Sequence, residues 1–283
     1  MEGELWNGIY QTVLGLASGR RRKRQQFSDR VIVLVYLWAV LHDRPVCWAC
    51  QEQNWPDRCG ATLPSPATMS RRSGSPGVVK LMAELEQAYR RQFGQSLCKW
   101  IDAMPLPIGN SSGDTQAGYG RAAQGKAKGY KLYAIYDSCG AMDDWCVAPM
   151  NVSEKKMARR MVRDATFQGY LIGDGEYDDN LLYEWAGSKN IALLAPKRRG
   201  QALGHRWQSR YRLRAIEMLG RPFAQGLLRA RSGIDRFFGG WASWWGGIKH
   251  PPAWVRGLHC VRRWVQAKLI LLYARRAKQR LMA

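Results

Sequence analysis

The sequence predicts an α/β fold, a mixed sheet flanked by helices, preceded by an all-helical N-terminal region. Up to about residue 95 apolar residues recur at helical spacing. From about residue 97 short alternating or apolar runs are separated by helical stretches, the order expected of a layered α/β domain. A chain of 283 residues is long enough for both regions. We therefore predict a helical region over residues 1–95 and an α/β domain over residues 96–283.

The composition predicts a basic protein with a polyanionic partner. The chain has 44 Lys and Arg against 22 Asp and Glu, a formal net charge of +22. Its longest apolar run, residues 31–41, is eleven residues long, whereas a membrane span needs about 20. The N-terminus shows no signal-peptide pattern, and seven cysteines without one favour a reducing compartment. We expect no membrane insertion and a cytoplasmic location.

The N-terminal region contains several predicted helices. Ser28 can cap a helix whose body is VIVLVYLWAVL. Ser65 and Pro66 can open a short helix with Arg71 and Arg72 on its polar face, ended by the glycines of residues 74–77. A longer helix follows, with an apolar stripe formed by Val79, Met82, Leu85, Ala88 and Tyr89. This outline is typical of a helix-turn-helix, so we expect Arg71 and Arg72 to contact DNA. Packing within a helical bundle is the alternative.

The α/β region supplies two acids in similar positions. Predicted strands lie in CKWIDAMPLP, YKLYAIYD, WCVAP, GYLIG and IALLAP, with helices over SEKKMARRMVRDAT and DDNLLYEWAGSK. Asp102 and Asp174 each follow a short apolar run directly. Functional groups collect beyond strand ends in such sheets, so the two carboxylates could face one another. The alternative for either is a capping role in the next turn.

A third acid is expected on a helix packed against that sheet. The stretch RSGIDRFFGGWASWW has one apolar face, and Asp235 lies about 100° from Ile234, at the margin of that face. The alternative for Asp235 is a first-turn acid favoured by the helix dipole. The predicted apolar face comprises Ile234, Phe237, Phe238, Trp241, Trp244 and Trp245.

Four stretches resemble, in order and spacing, the DDE transposases of bacterial insertion sequences. They are IDAMPLP, KGYKLYAIYDSCG, GYLIGDGEYDDNLLYEWAGSKNIALLAPKRRG and RSGIDRFFGGWAS. The likeness covers roughly residues 97–275. Its most specific parts are Gly-Tyr-Lys-Leu, Asp-x-x-Tyr-Asp and the helix with Arg-x-x-x-acid-Arg-x-Phe.

The resemblance implies a ribonuclease-H-like fold and an enzyme that cleaves and joins DNA at the ends of an insertion sequence. The matching catalytic and metal-binding acids are Asp102, Asp174 and Asp235, with Arg231 four residues before the third. Three carboxylates suit Mg²⁺ or Mn²⁺, and two ions about 3.5–4 Å apart would stabilise the attacking and leaving oxygens. The implied partners are double-stranded DNA, as element end and target, and a second copy of the chain, in association with the bacterial nucleoid.

The chain departs from the family pattern around the third acid. That acid is usually Glu, preceded by a Tyr three residues before the Arg and followed by a Lys seven residues after the acid, where this chain has Leu228 and Ala242. Glu217 is a competing third acid, because Tyr211 stands three residues before Arg214. Arg214, however, is three rather than four residues ahead of Glu217, and no aromatic helix follows. Both assignments remain open.

Basic residues near the predicted site are candidates for binding phosphate, with a solvated surface charge as the alternative for each. The candidates are Lys128, Lys131, Arg231, and the consecutive residues Lys197, Arg198 and Arg199. These three consecutive residues are the strongest candidates, because they directly follow a predicted strand and would border the acids.

Two other function classes stay open at this point. A related nuclease could cut DNA without joining it, and a catalytically decayed protein could bind DNA through its charge alone. A structural zinc site is a further alternative, because Cys47 and Cys50 have zinc-like spacing, with Cys59 and His42 as further candidate ligands, although the second ligand pair is incomplete.

Overall fold

The computed structural model describes residues 2–16, 25–55, 62–123, 125–197, 207–244, 246–248 and 250–281. The chain divides into two compact units. One unit comprises Met1–Gln92, Trp241–Val255 and His259–Ala283, and the other comprises Phe93–Gly240 and Arg256–Leu258.

The described N-terminal residues of the first unit form α1 (Glu2–Gly15), α2 (Asp29–Leu41), α3 (Val46–Ala49), α4 (Pro66–Arg72) and α5 (Pro76–Arg90). The predicted caps are present. The Ser28 hydroxyl accepts a hydrogen bond from the Val31 amide, and Ser65 does the same for Thr68. Every residue of α2 from Ile32 onward is buried, which explains why its sequence is apolar all round.

The apolar stripe of α5 differs from the predicted one by a small rotation. Val79 is 51% exposed, and Val78 and Leu81 are buried in its place, beside Met82, Leu85 and Tyr89. The helix begins at Pro76, ahead of the glycine expected to precede it. Because two adjacent valines are equivalent in hydrophobicity, only packing decides which of them faces the core.

The second unit is built on a six-stranded sheet: β1 (Cys98–Pro107), β2 (Gly118–Ala122), β3 (Gly125–Asp137), β4 (Met142–Pro149), β5 (Gly169–Ile172) and β6 (Ile191–Leu194). The order is β2-β3-β1-β5-β6, and β4 pairs with β3. β3 is antiparallel to β1, β2 and β4, whereas β1, β5 and β6 are mutually parallel, so the predicted mixed sheet is confirmed. The glycine-rich strand β2 was not predicted.

Asp102 lies within β1 and not beyond a strand end, where the sequence predicted it. β1 covers the whole predicted stretch CKWIDAMPLP, and Asp102 pairs with Ala134 in mid-strand. Pairing of β1 with β5 stops at Trp100, so beyond that residue only β3 adjoins β1 in the sheet pairing. Pro105 and Pro107 are accommodated because a strand with one free side does not need every amide as a donor.

Helices cover both faces of this sheet. They are α6 (Glu154–Asp164), α7 (Asn180–Ser188), α8 (Arg210–Leu219), α9 (Pro222–Ala230) and α10 (Ser232–Ala242). The Tyr133 hydroxyl donates to the Val152 carbonyl just before α6, while the Tyr136 ring lies 4.2 Å from that of Phe237 in α10. Side chains three positions apart on one strand point to opposite faces, so α6 and α10 lie on opposite sides. This is a ribonuclease-H-like arrangement of sheet and helices.

The predicted apolar face of α10 is largely confirmed. Ile234, Phe237, Trp241 and Trp244 are buried, although α10 ends at Ala242, before Trp244. Phe238 is half-buried, and Trp245 lies outside the described residues.

The last helix, α11 (Leu258–Leu281), contributes mainly to the first unit. Lys268 Nζ bonds to Asp43 at 2.6 Å, and the Gln266 amide donates to Glu86. The sequence assigned this helix to the α/β domain, whereas the structure groups it with the N-terminal helices. Among the described residues, no helix is both long enough and apolar enough to cross a bilayer.

Candidate active site

Two carboxylates occupy corresponding positions on neighbouring parallel strands. In the β1–β5 pair, Trp100 lies opposite Ile172. Asp102 follows Trp100 by two residues and Asp174 follows Ile172 by two. The register therefore brings both acids to the same level of the sheet, where β5 has ended and β1 continues.

Asp174 is held by a tight turn after β5. Its Oδ1 accepts a hydrogen bond of 2.8 Å from the Glu176 amide and caps the short 3-10 turn Gly175–Tyr177. Gly173 makes this turn possible, because a Cβ at that position would lie 2.7 Å from the Tyr177 ring. The ring can therefore pack directly beneath the backbone that presents Asp174.

Tyr177 is a buried polar residue beside the acids. Its side chain is 1% exposed, and its hydroxyl has no hydrogen-bond partner within the described part of the chain. Burial raises the pKa of Tyr177 well above its usual value, and the charges of Glu154, Asp102 and Asp174 raise it further. The phenol therefore stays neutral.

Asp102 is the more deeply placed of the two acids, with 16% of its side chain exposed. Burial raises its pKa to about 6, and the charges of Asp174 and Asp235 act in the same direction. A 2.8 Å hydrogen bond from the Ala103 amide and the Arg231 charge oppose this shift only in part. A desolvated carboxyl surrounded by other acids is a position that an additional cation would stabilise.

Arg231 lies between the two acids. It occupies the junction of α9 and α10, and its Nη2 is 3.1 Å from Asp102 Oδ2 and 3.7 Å from Asp174 Oδ2. Its Nε is buried and has no hydrogen-bond partner among the described residues. The positive charge of Arg231 is therefore shared by the carboxylates of Asp102 and Asp174.

Asp235 stands one helical turn after Arg231, in the first turn of α10. Its charge raises the pKa of Asp102, which places it in electrostatic reach of the pair, although its own side chain is exposed. Glu217, the competing acid, is 69% exposed and is bound to Arg221 at 2.8 Å. Asp235 therefore interacts electrostatically with Asp102 of the acid pair, whereas Glu217 takes part in a surface ion pair with Arg221.

The three aspartates do not form a closed ligand set. Within the described residues, no group of three or more His, Cys, Asp or Glu side chains is arranged to hold a metal ion. Asp102 and Asp174 fit the chemistry of a divalent cation, since carboxylate oxygens are the donors that Mg²⁺ and Mn²⁺ prefer. Asp235 would have to come closer to complete the set.

The predicted phosphate-binding residues have different surroundings. Lys197 is exposed and follows Pro196, whose carbonyl lies 3.4 Å from the Cβ position of Gly175 in the Asp174 turn. Lys128 is half-buried and donates to the Ser112 carbonyl at 2.6 Å. Lys131 is 11% exposed and ion-paired with Glu154 at 2.7 Å, so it is not part of an open surface.

The remaining basic candidates include two that lie outside the described residues, Arg198 and Arg199. In the first unit, Arg71 is exposed on α4. Arg72 donates to Asp29 at 2.5 Å and to the Phe27 carbonyl, which ties α4 to the start of α2.

Trp100 is a residue near the site that sequence reasoning missed. It shares a strand face with Asp102, is 8% exposed, and its indole nitrogen is buried without a hydrogen-bond partner in the described chain. Its ring stacks on Tyr136 and lies 3.5 Å from the Cβ position of Gly233 in α10. The period of two along β1 was the signal that could have identified it.

The cysteines named as zinc candidates carry free thiols where described. Cys47 is exposed and Cys50 half-buried, and burial raises the pKa of Cys50 to about 11. His42 lies 3.2 Å from the carboxylate of Glu2, and Cys59 is outside the described residues.

Comparison with known families gives one match. The family model described as "Transposase DDE domain" matches residues 94–252, more than half of the chain. This range includes β1, β5 and α10, and so all the acids of the site. No curated protein and no solved structure matches the chain.

Proposed function

The chain belongs to the DDE transposase family, and from this premise we propose that it cleaves and joins DNA strands at the ends of an insertion sequence. The family implies DNA as the substrate and divalent cations as the usual cofactor. The observation that supports the proposal is the pair Asp102 and Asp174, placed at the same level of parallel strands and joined by Arg231.

The proposed catalytic acids are Asp102, Asp174 and Asp235. Mg²⁺ or Mn²⁺ held by these carboxylates would stabilise charge on the attacking and leaving oxygens during displacement at phosphorus. The raised pKa of Asp102 supports its role as a ligand, because ionisation of a buried carboxyl next to other acids is favoured when a cation is bound.

The chain's own cations would position the DNA. Lys197 is exposed beside the Asp174 turn, so it can bind a phosphate that flanks the scissile bond. Arg231 would exchange its carboxylate contacts for a phosphate oxygen as DNA enters. Lys128 and the N-terminal helical region, with Arg71, would add sequence-independent contacts. We expect two copies of the chain to act on paired element ends.

The reaction has two displacements. Water first attacks the phosphodiester at the element end, and the bond to the 3′ oxygen breaks, which frees a 3′-hydroxyl. That hydroxyl then attacks a target phosphodiester, forms a new P–O bond and releases the target's own 3′-hydroxyl. Neither step needs a covalent enzyme intermediate or an external energy source.

The test is incubation of the purified chain with supercoiled plasmid in Mg²⁺ or Mn²⁺. We expect nicking that is lost in Asp174→Asn and kept in Asp164→Asn, a matched control whose carboxylate is exposed and paired with Arg163. Joining of end-containing oligonucleotides to the plasmid would support transposition. Cutting without joining would indicate a nuclease, and binding without cutting would contradict the catalytic proposal.

A further inference from the structure

A cationic groove lies within the first unit, lined by residues of α2, α3 and α4, the turn before α5, the segment before α11, and α11 itself. It encloses about 550 Å³. Its apolar lining includes Tyr36, Val46 and Met69. Its polar lining includes Arg71, Ser75, Trp254, His259 and Arg263.

The groove carries positive charge without local compensation. Arg71 and Arg263 both line it, and neither has an ion pair or hydrogen bond in the described part of the chain. No Asp or Glu occurs among the described residues that line it. Two guanidinium groups that share a concave surface repel each other unless an anion lies between them.

Two buried polar atoms in the groove also lack partners. The Trp254 indole nitrogen and the Ser75 hydroxyl have no hydrogen-bond partner among the described residues. Ser75 directly precedes the 15-residue helix α5, and its side chain makes no capping bond to that helix. Buried polar groups are normally paired, so these two atoms are available to donate to an acceptor that enters the groove.

We propose that this groove binds a phosphate of the DNA backbone, with Arg71 and Arg263 as its two principal contacts. The identification of the anion as DNA rests on the proposed function, whereas the anionic character of the ligand follows from the groove itself. The site is separate in sequence from the acid pair, because its residues come from α2, α3, α4, the turn before α5, and the segment from Trp254 to Arg263.

The first test measures duplex binding without divalent cations, by fluorescence anisotropy over about 50–200 mM salt. For the double variant Arg71→Gln with Arg263→Gln we expect about tenfold weaker binding and a salt slope smaller by about one. The charge-matched control combines Lys80→Gln and Arg262→Gln, which are exposed on α5 and α11 and do not line the groove. Equal losses in both double variants would overturn the proposal.

A second variant adds an acid to the groove. A Cβ at Gly74 would have one near neighbour, Arg263 Nη2 at 3.4 Å, so Gly74→Glu places a carboxylate beside that guanidinium without a backbone clash. We expect Gly74→Glu to weaken duplex binding as the double variant does, and Gly74→Ala to bind like the wild type. Circular dichroism and melting temperature verify that each variant is folded.

The rate at which Cys47 is alkylated reports whether DNA occupies the groove. Cys47 is exposed and lines the groove, so saturating duplex should slow its alkylation by iodoacetamide, whereas inorganic phosphate at the same phosphate concentration should not. This difference separates a DNA phosphate from a free anion. Unchanged alkylation in the DNA-saturated chain would contradict the proposal. If the groove variants bind DNA normally while the wild type still cuts plasmid, the groove proposal fails and the proposed function stands.

Discussion

Arg231 donates a hydrogen bond to Asp102 across 129 residues of sequence, with Nη2 3.1 Å from Oδ2. The same guanidinium nitrogen is 3.7 Å from Asp174 Oδ2, so one arginine compensates both acids. A divalent cation that binds these carboxylates must therefore compete with Arg231 for the same oxygens.

Removal of the Arg231 guanidinium should make the stability of the protein depend on a metal ion bound to Asp102 and Asp174. We expect Arg231→Gln to lower the free energy of unfolding in EDTA by about 1–3 kcal/mol, because two close carboxylates lose their shared cation and hydrogen-bond donor. Mn²⁺ should restore the stability and bind more tightly than to the wild type. Thermal melts with and without Mn²⁺ measure both effects. The control is Arg229→Gln, also on the α9 side of the junction, and an equal Mn²⁺ response in the two variants would contradict the competition.

The raised pKa of Asp102 predicts a pH-dependent cost to folding. The pKa rises from 3.8 to about 6, so between these values the native state binds more protons than the unfolded state and stability falls as pH rises. Asp102→Asn removes this cost. In EDTA we expect the free energy of unfolding of Asp102→Asn to equal that of the wild type near pH 4. Above pH 7 it should be higher than the wild-type value by about 3 kcal/mol.

Urea titrations across this pH range test the Asp102 prediction. Asp164→Asn serves as the control, because Arg163 lowers the pKa of Asp164 and its loss should bring no gain at high pH. A stability difference for Asp102→Asn that did not change between pH 4 and pH 7 would show that the carboxyl titrates normally.

Substitutions can decide whether Asp235 or Glu217 is the third catalytic acid. Asp235 lies one turn after Arg231 and influences Asp102, while Glu217 is paired with Arg221 on the surface. We expect Asp235→Asn to reduce plasmid nicking in Mn²⁺ by about 100-fold, equivalent to about 2.7 kcal/mol of barrier. Asp235→Glu should retain activity because its carboxylate reaches further, and Glu217→Gln should leave the nicking rate unchanged. The reverse pattern would assign the third acid to Glu217.

Gly173 should be intolerant of any side chain. A Cβ there would lie 2.7 Å from the Tyr177 ring, and that residue is only 1% exposed. We expect Gly173→Ala to cost about 1–3 kcal/mol of folding free energy. The comparison is Gly226→Ala in α9, where nothing lies within 4 Å of the new Cβ, and where a gain of about 0.5–1 kcal/mol is expected. Equal unfolding midpoints in urea would refute the close packing.

Lys197 and Lys131 should differ in their effect on DNA binding. Lys197 is exposed near Asp174, so Lys197→Gln should reduce the slope of log affinity against log salt by about one. Lys131 is paired with Glu154, so Lys131→Gln should leave the slope unchanged and lower thermal stability instead. Anisotropy titrations at several salt concentrations measure the slopes, and an unchanged slope for Lys197→Gln would remove it from the DNA surface.

The sequence by itself determined the fold class, the caps at Ser28 and Ser65, and the positions of most strands and helices. These features depend on local periodicity and on side chains within one turn of the backbone they cap. It also singled out Asp102 and Asp174, because an acid directly after an apolar run is visible without any knowledge of distant contacts.

Only the tertiary structure decided that Asp102 lies within β1, which valine of α5 is buried, and which compact unit receives α11. It also decided the partners of the basic residues, with Lys131 bound to Glu154 and Arg231 to Asp102. Such contacts join residues far apart in the chain, and the burial that raises the pKa of Asp102 comes from packing around it. Local sequence cannot encode these partners, because their identity is set by register and burial after the sheet and helices have assembled.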